Sequence, residues 1–520
     1  MTAEAEARGP RPAGATHPSA VAADQRDVHR RGLGANMSAL AASQVITWSL
    51  SLLWTLVVPR LLGPAGMGLL VTAMSATAIL GLVLGLPTRD FLAREMSARP
   101  AATPGLVGSA MLFRACLAPV FFAAVAIYAG FADLGAAGTT VLYLSTAATL
   151  FYLLAEPALA AFQAVERMEY LAYNDVLNKT LVTFGGVALA LLGVRVVGLT
   201  AFGLVVAGVA VVVTARWARR LVGIDLRADV RGIGSMVRAS IPYWAFGVFF
   251  MVYLWIDSVM LGLMVRAEVV GYYGVATKLF TTLMFVPFIF AIASLPRLVT
   301  AFEESWQRLG AVARAPVEIV VILSLPVCVG AAMTAGDAIP LLYGHSFDGA
   351  IPVMVILALC VPAMYLNVML NQVLIAAKRP MVWTYLMIGA TIVNPGVNFV
   401  LIRLAQSRWQ NGAIGAAASL LATELLIVTA GIVIVGRHIL TGSTLWRLLR
   451  AAVAAGAMAG VMHTVSSWGF LAEAAMGLAT FVSCALLLRV LSTEERQLVR
   501  SVAVQVRNRL RGLRIPGVRA

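Results

Sequence analysis

The sequence contains few charged residues for its length. Only 12% of its 520 residues are Asp, Glu, Lys or Arg, whereas roughly 25% is usual for soluble domains. Lysine is especially scarce, since Lys179, Lys278 and Lys378 are the only lysines among 39 basic residues. A water-soluble enzyme of this size is therefore excluded.

Cysteine and catalytic motifs are also scarce. The four cysteines lie far apart in apolar segments, at Cys116, Cys328, Cys360 and Cys484. No CxxC spacing occurs, so neither a zinc site nor a disulfide framework is predicted, and no metal or cofactor is expected. No GxGxxG, P-loop or HExxH pattern stands in a suitable context. The loops between apolar segments are short, which disfavours a membrane-embedded glycan polymerase or transferase.

Long apolar runs dominate the sequence. Hydrophobic residues make up 60% of the chain, and the mean hydropathy is +0.89. A helix needs about 20 apolar residues to cross a bilayer, and the chain divides into about fourteen such helices. The predicted spans are Met37–Val58, Leu69–Leu92, Gly105–Tyr128, Thr139–Gln163, Asn178–Gly193, Gly198–Ala215, Ala239–Leu263, Val269–Leu295, Ala315–Thr334, Ile351–Ala376, Met381–Ile402, Gly412–Val435, Leu448–Ser466 and Trp468–Val490.

The positions of the basic residues predict the orientation of these spans. Most of the 39 Lys and Arg residues fall in the tails and loops on one side of the membrane. Those on the opposite side are Arg60, Arg195, Arg266, Arg403 and Arg408. Cytoplasmic loops collect Lys and Arg, so the net charge of +15 is read as topology rather than as nucleic-acid binding. Both termini are predicted to be cytoplasmic, in a multi-pass protein of the cytoplasmic membrane.

The two ends of the chain differ in character. Residues 1–36 are rich in Ala, Pro and Arg, and their composition predicts a disordered cytoplasmic tail. In residues 491–520, Leu498, Val502, Val506 and Leu510 line one helical face and Arg covers much of the rest. This pattern is typical of a helix lying on anionic membrane lipids. The alternative is a solvated basic tail.

An internal repeat divides the region between the tails. Gly63 after the first span matches Gly262 after the seventh, Arg167 matches Arg379, and Gly198 matches Gly412. Six helices per half give both halves the same orientation, which is a parallel repeat about the membrane normal. The alternative is a chance alignment of low-complexity sequence. The predicted fold is an all-α, polytopic membrane protein.

This repeat sets the predicted domain boundaries. They are an N-lobe at 37–217, a basic cytoplasmic linker at 218–238, a C-lobe at 239–437 and two further helices at 438–490.

Four short motifs occur in order along the chain. They are RLLGPAGMG (60–68), WIDSVMLGLMVRAEVVGYYGVATKLF (255–280), LLYGHSF (341–347) and an Asn394/Asn398 pair followed by NGAIGAAAS (411–419). Together they resemble the polysaccharide-transporter family within the MATE-like flippase superfamily. The resemblance covers Met37 to about Val435 and extends less specifically beyond.

The resemblance implies a function and its partners. Members of this family flip polyprenyl-diphosphate-linked oligosaccharides across the membrane for surface polysaccharide synthesis. It implies two six-helix lobes around a central cavity that work by alternating access, without enzymatic activity. The expected partners are the lipid-linked glycan and glycan polymerase or export machinery, with no nucleic acid.

Charged residues inside spans are costly and mark functional or paired positions. Asp257 and Lys278 lie at similar predicted depths on consecutive helices, so an ion pair is expected. Tyr253 lies one turn from Asp257 on the same face. The pair is interpreted either as a gate facing the cavity or as a static link between the two helices.

Three further charges fall within spans, at Arg114, Glu156 and Glu424. Arg114 is expected either to pair with Glu156, to bind the substrate diphosphate, or to reach towards the interface. With Asp257 and Lys278 included, the five charges sum to a negative value. A cavity for an anionic lipid should be cationic, so this sum leaves open a cation-binding exporter.

Two pairs of asparagines form one-turn polar stripes. Asn367 and Asn371 are four residues apart in the tenth span, and Asn394 and Asn398 are four apart in the eleventh. Such stripes can bind sugar hydroxyls, although they more often join helices to one another. The two asparagine pairs are therefore interpreted either as sugar-binding groups or as contacts between helices.

Two other transport functions remain open from the sequence. One is a MATE-type cation or drug antiporter, which should carry a compact acidic site in the N-lobe, where only Glu156 lies deep. The other is a flippase for the peptidoglycan precursor, lipid II.

Overall fold

The protein is helical throughout the part of the chain that the computed structural model describes, which is residues 18–227, 230–436, 439 and 441–490. The first helices are α1 (Pro18–Leu80), α2 (Arg89–Ala98), α3 (Thr103–Phe131), α4 (Gly135–Ala164), α5 (Met168–Thr180), α6 (Gly186–Leu191) and α7 (Val196–Leu221). The next are α8 (Val230–Met264), α9 (Ala267–Leu283), α10 (Phe285–Glu304), α11 (Trp306–Met333), α12 (Ala335–Tyr343), α13 (Ile351–Ala376), α14 (Pro380–Trp409) and α15 (Gly412–Gly431). Two more complete the described chain, α16 (Gly442–Val465) and α17 (Phe470–Leu487).

Twelve helices of the described chain are long and apolar enough to cross a membrane. Two further spans are not counted separately among these twelve, because irregular turns interrupt the helices that form them. Helix α1 contains two spans, because Gly63 has φ +70° and interrupts the helix just before Pro64. Helices α5 and α6 are joined by a π-helical turn, Leu181–Gly185, and together make another span. The about fourteen predicted spans are thereby accounted for.

Tight packing in the C-lobe centres on one helix. The span that includes α13 is the most buried of the twelve, with 61% of its apolar window inside the protein. Its Leu357, Val361 and Tyr365 are fully buried. Helix α13 is therefore surrounded by the other C-lobe helices.

The last two helices dock on the C-lobe through a buried ion pair. Arg447 of α16 lies 2.5 Å from Glu318 of α11. The hydroxyl of Thr444 donates a second hydrogen bond to Glu318, also at 2.5 Å. Burying a carboxylate requires such partners, so this contact fixes where α16 and α17 attach.

The two lobes meet most closely where α1 crosses α9. A Cβ on Gly68 would lie 1.6 Å from the carbonyl oxygen of Ala267, and a Cβ on Gly271 would lie 2.0 Å from that of Pro64. If Pro64 is equivalent to Ala267 and Gly68 to Gly271, each contact becomes the other when the two halves of the repeat are swapped. That exchange is the signature of an approximate two-fold axis between the halves, and it lies at the end of the bundle opposite the 165–167 and 377–379 loops.

This register corrects one detail of the predicted repeat. In this register Gly63 is equivalent to Arg266, which lies about one helical turn after the predicted equivalent residue, Gly262. Gly262 instead packs against α1, because a Cβ there would lie 2.6 Å from Thr72.

Several predicted boundaries also differ from the structure. The sequence predicts a disordered tail over 1–36, whereas residues 18–36 lie within α1. The predicted span Val269–Leu295 is divided between α9 and α10 near Met284. Residues 1–17 and the predicted amphipathic tail 491–520 lie outside the described residues.

The crossing of α1 and α9 leads to a testable expectation about stability. Gly68→Ala and Gly271→Ala should each force the two backbones apart, since the new Cβ would meet a carbonyl oxygen that cannot rotate away. Overpacking of this kind typically costs about 1–3 kcal/mol. A clear fall in the melting temperature of the detergent-purified protein is expected.

The matched control is Gly389→Ala on α14, where a Cβ would meet nothing within 4 Å. It should melt like the wild type. Equal melting temperatures for all three variants would contradict the close approach of the lobes.

Candidate functional site

A cavity of about 830 Å³ lies between the N-lobe and the first half of α8. Its lining comes from the end of α1, the start of α2, the middle of α4 and α8, and includes Thr77, Gly81, Arg89, Asp90, Thr149, Glu156, Tyr243, Trp244, Phe250 and Trp255. The buried Nε of Arg89 has no hydrogen-bond partner. This interlobe cavity lies in the half of the bundle nearer the 165–167 and 377–379 loops.

Residues of α8 form hydrogen bonds with the N-lobe walls of the interlobe cavity. The indole nitrogen of Trp244 donates to the carbonyl of Leu82 at 2.8 Å, and Arg94 donates to the hydroxyl of Tyr243 at 2.6 Å. Helix α2 begins at Thr88, whose side chain accepts a hydrogen bond from the backbone of Phe91. That cap holds Arg89 at the mouth of the cavity.

A smaller pocket of about 410 Å³ is lined by residues of the N-lobe and by Trp255 of α8. It shares Thr77, Ala78, Thr149 and Trp255 with the interlobe cavity, so the two are adjacent. We call it the N-lobe pocket.

Arg114 is paired and faces away from the cavity. Its side chain is fully buried and lies 2.8 Å from Glu156. It also donates to the carbonyl of Pro87 at 2.7 Å and to that of Leu153. Among the predicted alternatives, the Arg114–Glu156 pair is therefore the one that the structure contains. Glu156 is 35% exposed and lines the cavity, but its charge is offset by Arg114.

The expected ion pair between Asp257 and Lys278 is wrong. Asp257 is 5% exposed and accepts hydrogen bonds from the hydroxyl of Tyr273 at 2.9 Å and the amide of Asn398 at 2.5 Å. Lys278 follows Tyr273 by five residues on α9, which turns it about 140° away at roughly 100° per residue. Depth alone could not reveal which of the two side chains faces Asp257.

The second C-lobe carboxylate has neutral partners as well. Glu424 of α15 accepts hydrogen bonds from the hydroxyl of Tyr253 and from the amide of Asn367 at 2.6 Å. The sequence places Tyr253 beside Asp257, whereas the structure joins it to Glu424. Among the described residues, neither Asp257 nor Glu424 forms a salt bridge.

The asparagine stripes mainly connect helices. Asn398 also donates to Asn394 at 2.7 Å, and Asn394 donates to Thr423 of α15 at 3.3 Å. These bonds join α14 to α8 and α15, as the structural reading predicts. Asn371 is half-buried and lies outside the lining of both cavities. Within the described part of the chain, no group of three His, Cys, Asp or Glu side chains could hold a metal ion.

Lys278 belongs to a cluster that sequence reasoning missed. The positive charge of Lys179 on α5 contributes to the electrostatic environment of Lys278, although the two lysines sit in different lobes. Lys179 and Arg89 in turn both attract Asp175. We call Arg89, Asp175, Lys179 and Lys278 the cation cluster. The one signal in the sequence was that Lys179 and Lys278 are two of only three lysines.

Comparison with solved structures identifies the fold. The chain is similar to the lipid II flippase MurJ in an inward closed conformation, with a TM-score of 0.67, 11% identity and coverage of 87% of this chain and 98% of that one. It is also similar to a multidrug resistance MATE family transporter of the MOP superfamily in an inward-facing conformation, with a TM-score of 0.52, 16% identity and coverage of 78% and 98%. No curated protein sequence matches significantly.

A sequence-family model gives the stronger statement. The model described as polysaccharide biosynthesis protein matches residues 33–302, which is more than half of the chain. The match begins just before the first span and includes α9, so it covers both sides of the lobe crossing. The protein is a multi-pass membrane protein with the fold of the MOP superfamily flippases and transporters, and the chain belongs to the polysaccharide biosynthesis protein family.

Proposed function

We propose that the protein flips a polyprenyl-diphosphate-linked oligosaccharide across the cytoplasmic membrane by alternating access, for surface polysaccharide synthesis. One observation carries the proposal: the charges that remain free to meet a ligand between the lobes are mainly cationic. An anionic diphosphate is the ligand that such a site favours.

The distribution of charge resolves the negative sum obtained from the sequence. Arg114 and Glu156 offset one another, and Asp257 and Glu424 are enclosed in the C-lobe by neutral hydrogen-bond donors. The cation cluster contains three cations and Asp175, and the cavity lining adds the carboxylate of Asp90, so one net positive charge remains. Lysine and arginine are the side chains that bind phosphate groups, Arg through paired hydrogen bonds and Lys as a point charge.

The cation cluster also suggests how binding is linked to movement of the lobes. Lys179 and Lys278 come from opposite lobes and carry like charges. Each lies about 17 Å along its helix from the helix start, which is near mid-membrane. A diphosphate placed between them would replace repulsion by attraction, so it would stabilise the conformation in which the two lysines are closest.

The proposed orientation follows the charge of the loops. Both termini would be cytoplasmic, and the interlobe cavity would then open towards the leaflet in which the glycan lipid is made. The basic tail 491–520 would contact anionic lipids, and glycan polymerase or export machinery would receive the flipped product.

A cation or drug antiporter is the second candidate. It is favoured by Asp257 and Glu424, two buried carboxylates with only neutral hydrogen-bond partners in the described structure. Buried carboxylates of this kind can exchange a proton or a monovalent cation. The same groups could drive a flippase, so the candidates differ in cargo rather than in coupling. Lipid II is the alternative cargo within the flippase proposal.

Loss of the protein should change the glycans of the cell. Deleting the gene should cause lipid-linked oligosaccharide to accumulate in the inner leaflet and surface polysaccharide to disappear, because synthesis continues while export stops. The measurement is the surface glycan profile with the lipid-linked pool extracted from the membrane. An unchanged profile combined with new sensitivity to cationic drugs would support the antiporter instead.

Neutralising the cation cluster should impair transport without unfolding the protein. Lys278→Gln and Lys179→Gln should each lower the flipping of a fluorescent lipid-linked oligosaccharide in proteoliposomes by about tenfold, which corresponds to one lost charge-assisted contact of roughly 1.5 kcal/mol. Lys278→Arg should retain most of the activity, because the charge is kept.

The matched control is Lys378→Gln, which removes the third lysine of the chain from an exposed loop position. It should transport like the wild type. Full activity of both Lys278→Gln and Lys179→Gln would show that the cluster does not contact the cargo.

A further inference from the structure

We propose that the N-lobe pocket binds one sugar ring of the lipid-linked glycan, beside the interlobe cavity. This inference rests on the proposed function, since it assigns a separate place to part of the same substrate. It is carried by the construction of the pocket, its lining and its position next to the interlobe cavity.

Two adjacent glycines at an irregular turn position aromatic rings of the pocket, and Gly186 itself belongs to the lining. The π-helical turn Leu181–Gly185 leads directly into Gly186 at the start of α6. A Cβ on Gly185 would lie 2.3 Å from the ring of Phe202, and a Cβ on Gly186 would lie 2.3 Å from the ring of Trp54. The aromatic rings therefore lie directly on the backbone. Short π-helical turns of this kind are frequent at functional sites.

The lining combines flat aromatic surfaces with hydroxyl groups and contains no charge. Its aromatic side chains are Trp54, Tyr152, Phe202 and Trp255, and its hydroxyl-bearing residues besides Tyr152 are Thr77, Ser145, Thr149 and Thr200. A pyranose ring presents C–H groups on its faces and hydroxyls around its edge, so it fits between aromatic faces and hydroxyl groups.

Two of the hydroxyls are already oriented by the protein. Thr77 donates to the carbonyl of Ala73 at 2.8 Å, and Thr200 donates to that of Val196 at 2.8 Å. A hydroxyl that donates its proton to the helix keeps its oxygen as an acceptor. Thr77 and Thr200 therefore present acceptors to a ligand rich in O–H groups.

The position and size of the pocket favour a sugar over other ligands. None of its lining residues is charged, which disfavours a diphosphate or a free cation as the ligand. An isoprenoid chain is also disfavoured, because it could not form hydrogen bonds with the four Ser and Thr residues of the lining. At about 410 Å³ it lies within the roughly 300–1,000 Å³ range of small-ligand sites. Trp255 lines both cavities, so a glycan whose diphosphate lies between the lobes could extend one ring past this side chain.

The test measures binding to the full-length protein in nanodiscs. Two probes are compared, a polyprenyl diphosphate linked to the oligosaccharide and the same polyprenyl diphosphate without sugar. The wild type should bind the glycan-linked probe more tightly. Trp255→Ala and Tyr152→Ala should reduce that preference by about two- to tenfold, the usual worth of one aromatic contact. Trp255→Phe should retain it, since the flat ring remains.

The matched control is Trp468→Ala, which removes a tryptophan that is 67% exposed in the loop before α17. It should leave both affinities unchanged. An unaltered preference in Trp255→Ala and Tyr152→Ala overturns the sugar site, and so does an equal loss for both probes, which would indicate that the pocket takes the lipid chain. Failure of the wild type to flip the glycan-linked probe, with the binding preference intact, would reject only the proposed function.

Discussion

The close crossing of α1 and α9 is the contact on which the arrangement of the two lobes depends. Backbone meets backbone there, with Gly68 against Ala267 and Gly271 against Pro64. Since no side chain separates the helices, the crossing fixes both the distance between the lobes and their approximate two-fold relation. It lies at one end of the bundle, so the lobes are free to diverge towards the other end, where the interlobe cavity lies.

The same symmetry does not extend to the distribution of charge. The C-lobe encloses Asp257 and Glu424 among tyrosine and asparagine donors, whereas the N-lobe offsets Glu156 with Arg114. Acidic groups are thus occupied inside each lobe, whereas Lys179 and Lys278 have no carboxylate hydrogen-bonded to them in the described part of the chain. This division allows one protein to keep buried carboxylates for coupling while presenting positive charge to an anionic cargo.

Most of the fold could be predicted from the sequence, because membrane spans require long apolar runs and loops require polar residues. The parallel repeat followed from an even number of helices per half. The errors came from information that a linear pattern does not contain. The depth of Lys278 was estimated from its position along the helix, but the face it occupies depends on helix rotation, and Tyr273 holds the position next to Asp257.

The remaining parts of the site needed the three-dimensional structure because they join residues distant in sequence. The electrostatic influence of Lys179 on Lys278 joins α5 of one lobe to α9 of the other. The N-lobe pocket is lined by Gly186 and by the ring of Phe202, which packs on Gly185. Both glycines look in the sequence like ordinary small residues of a membrane helix. Their importance appears only when the rings of Phe202 and Trp54 are seen on them.

The central claim is that the lobes hold an anionic, diphosphate-linked lipid between them. Native mass spectrometry of the protein purified from its own membranes tests this most directly. We expect the wild type to retain a lipid whose mass contains a diphosphate and sugar residues, and the Lys179→Gln, Lys278→Gln double variant to lose it. Retention of ordinary phospholipids alone by the wild type, or equal retention of the glycan lipid by the double variant, would contradict the account.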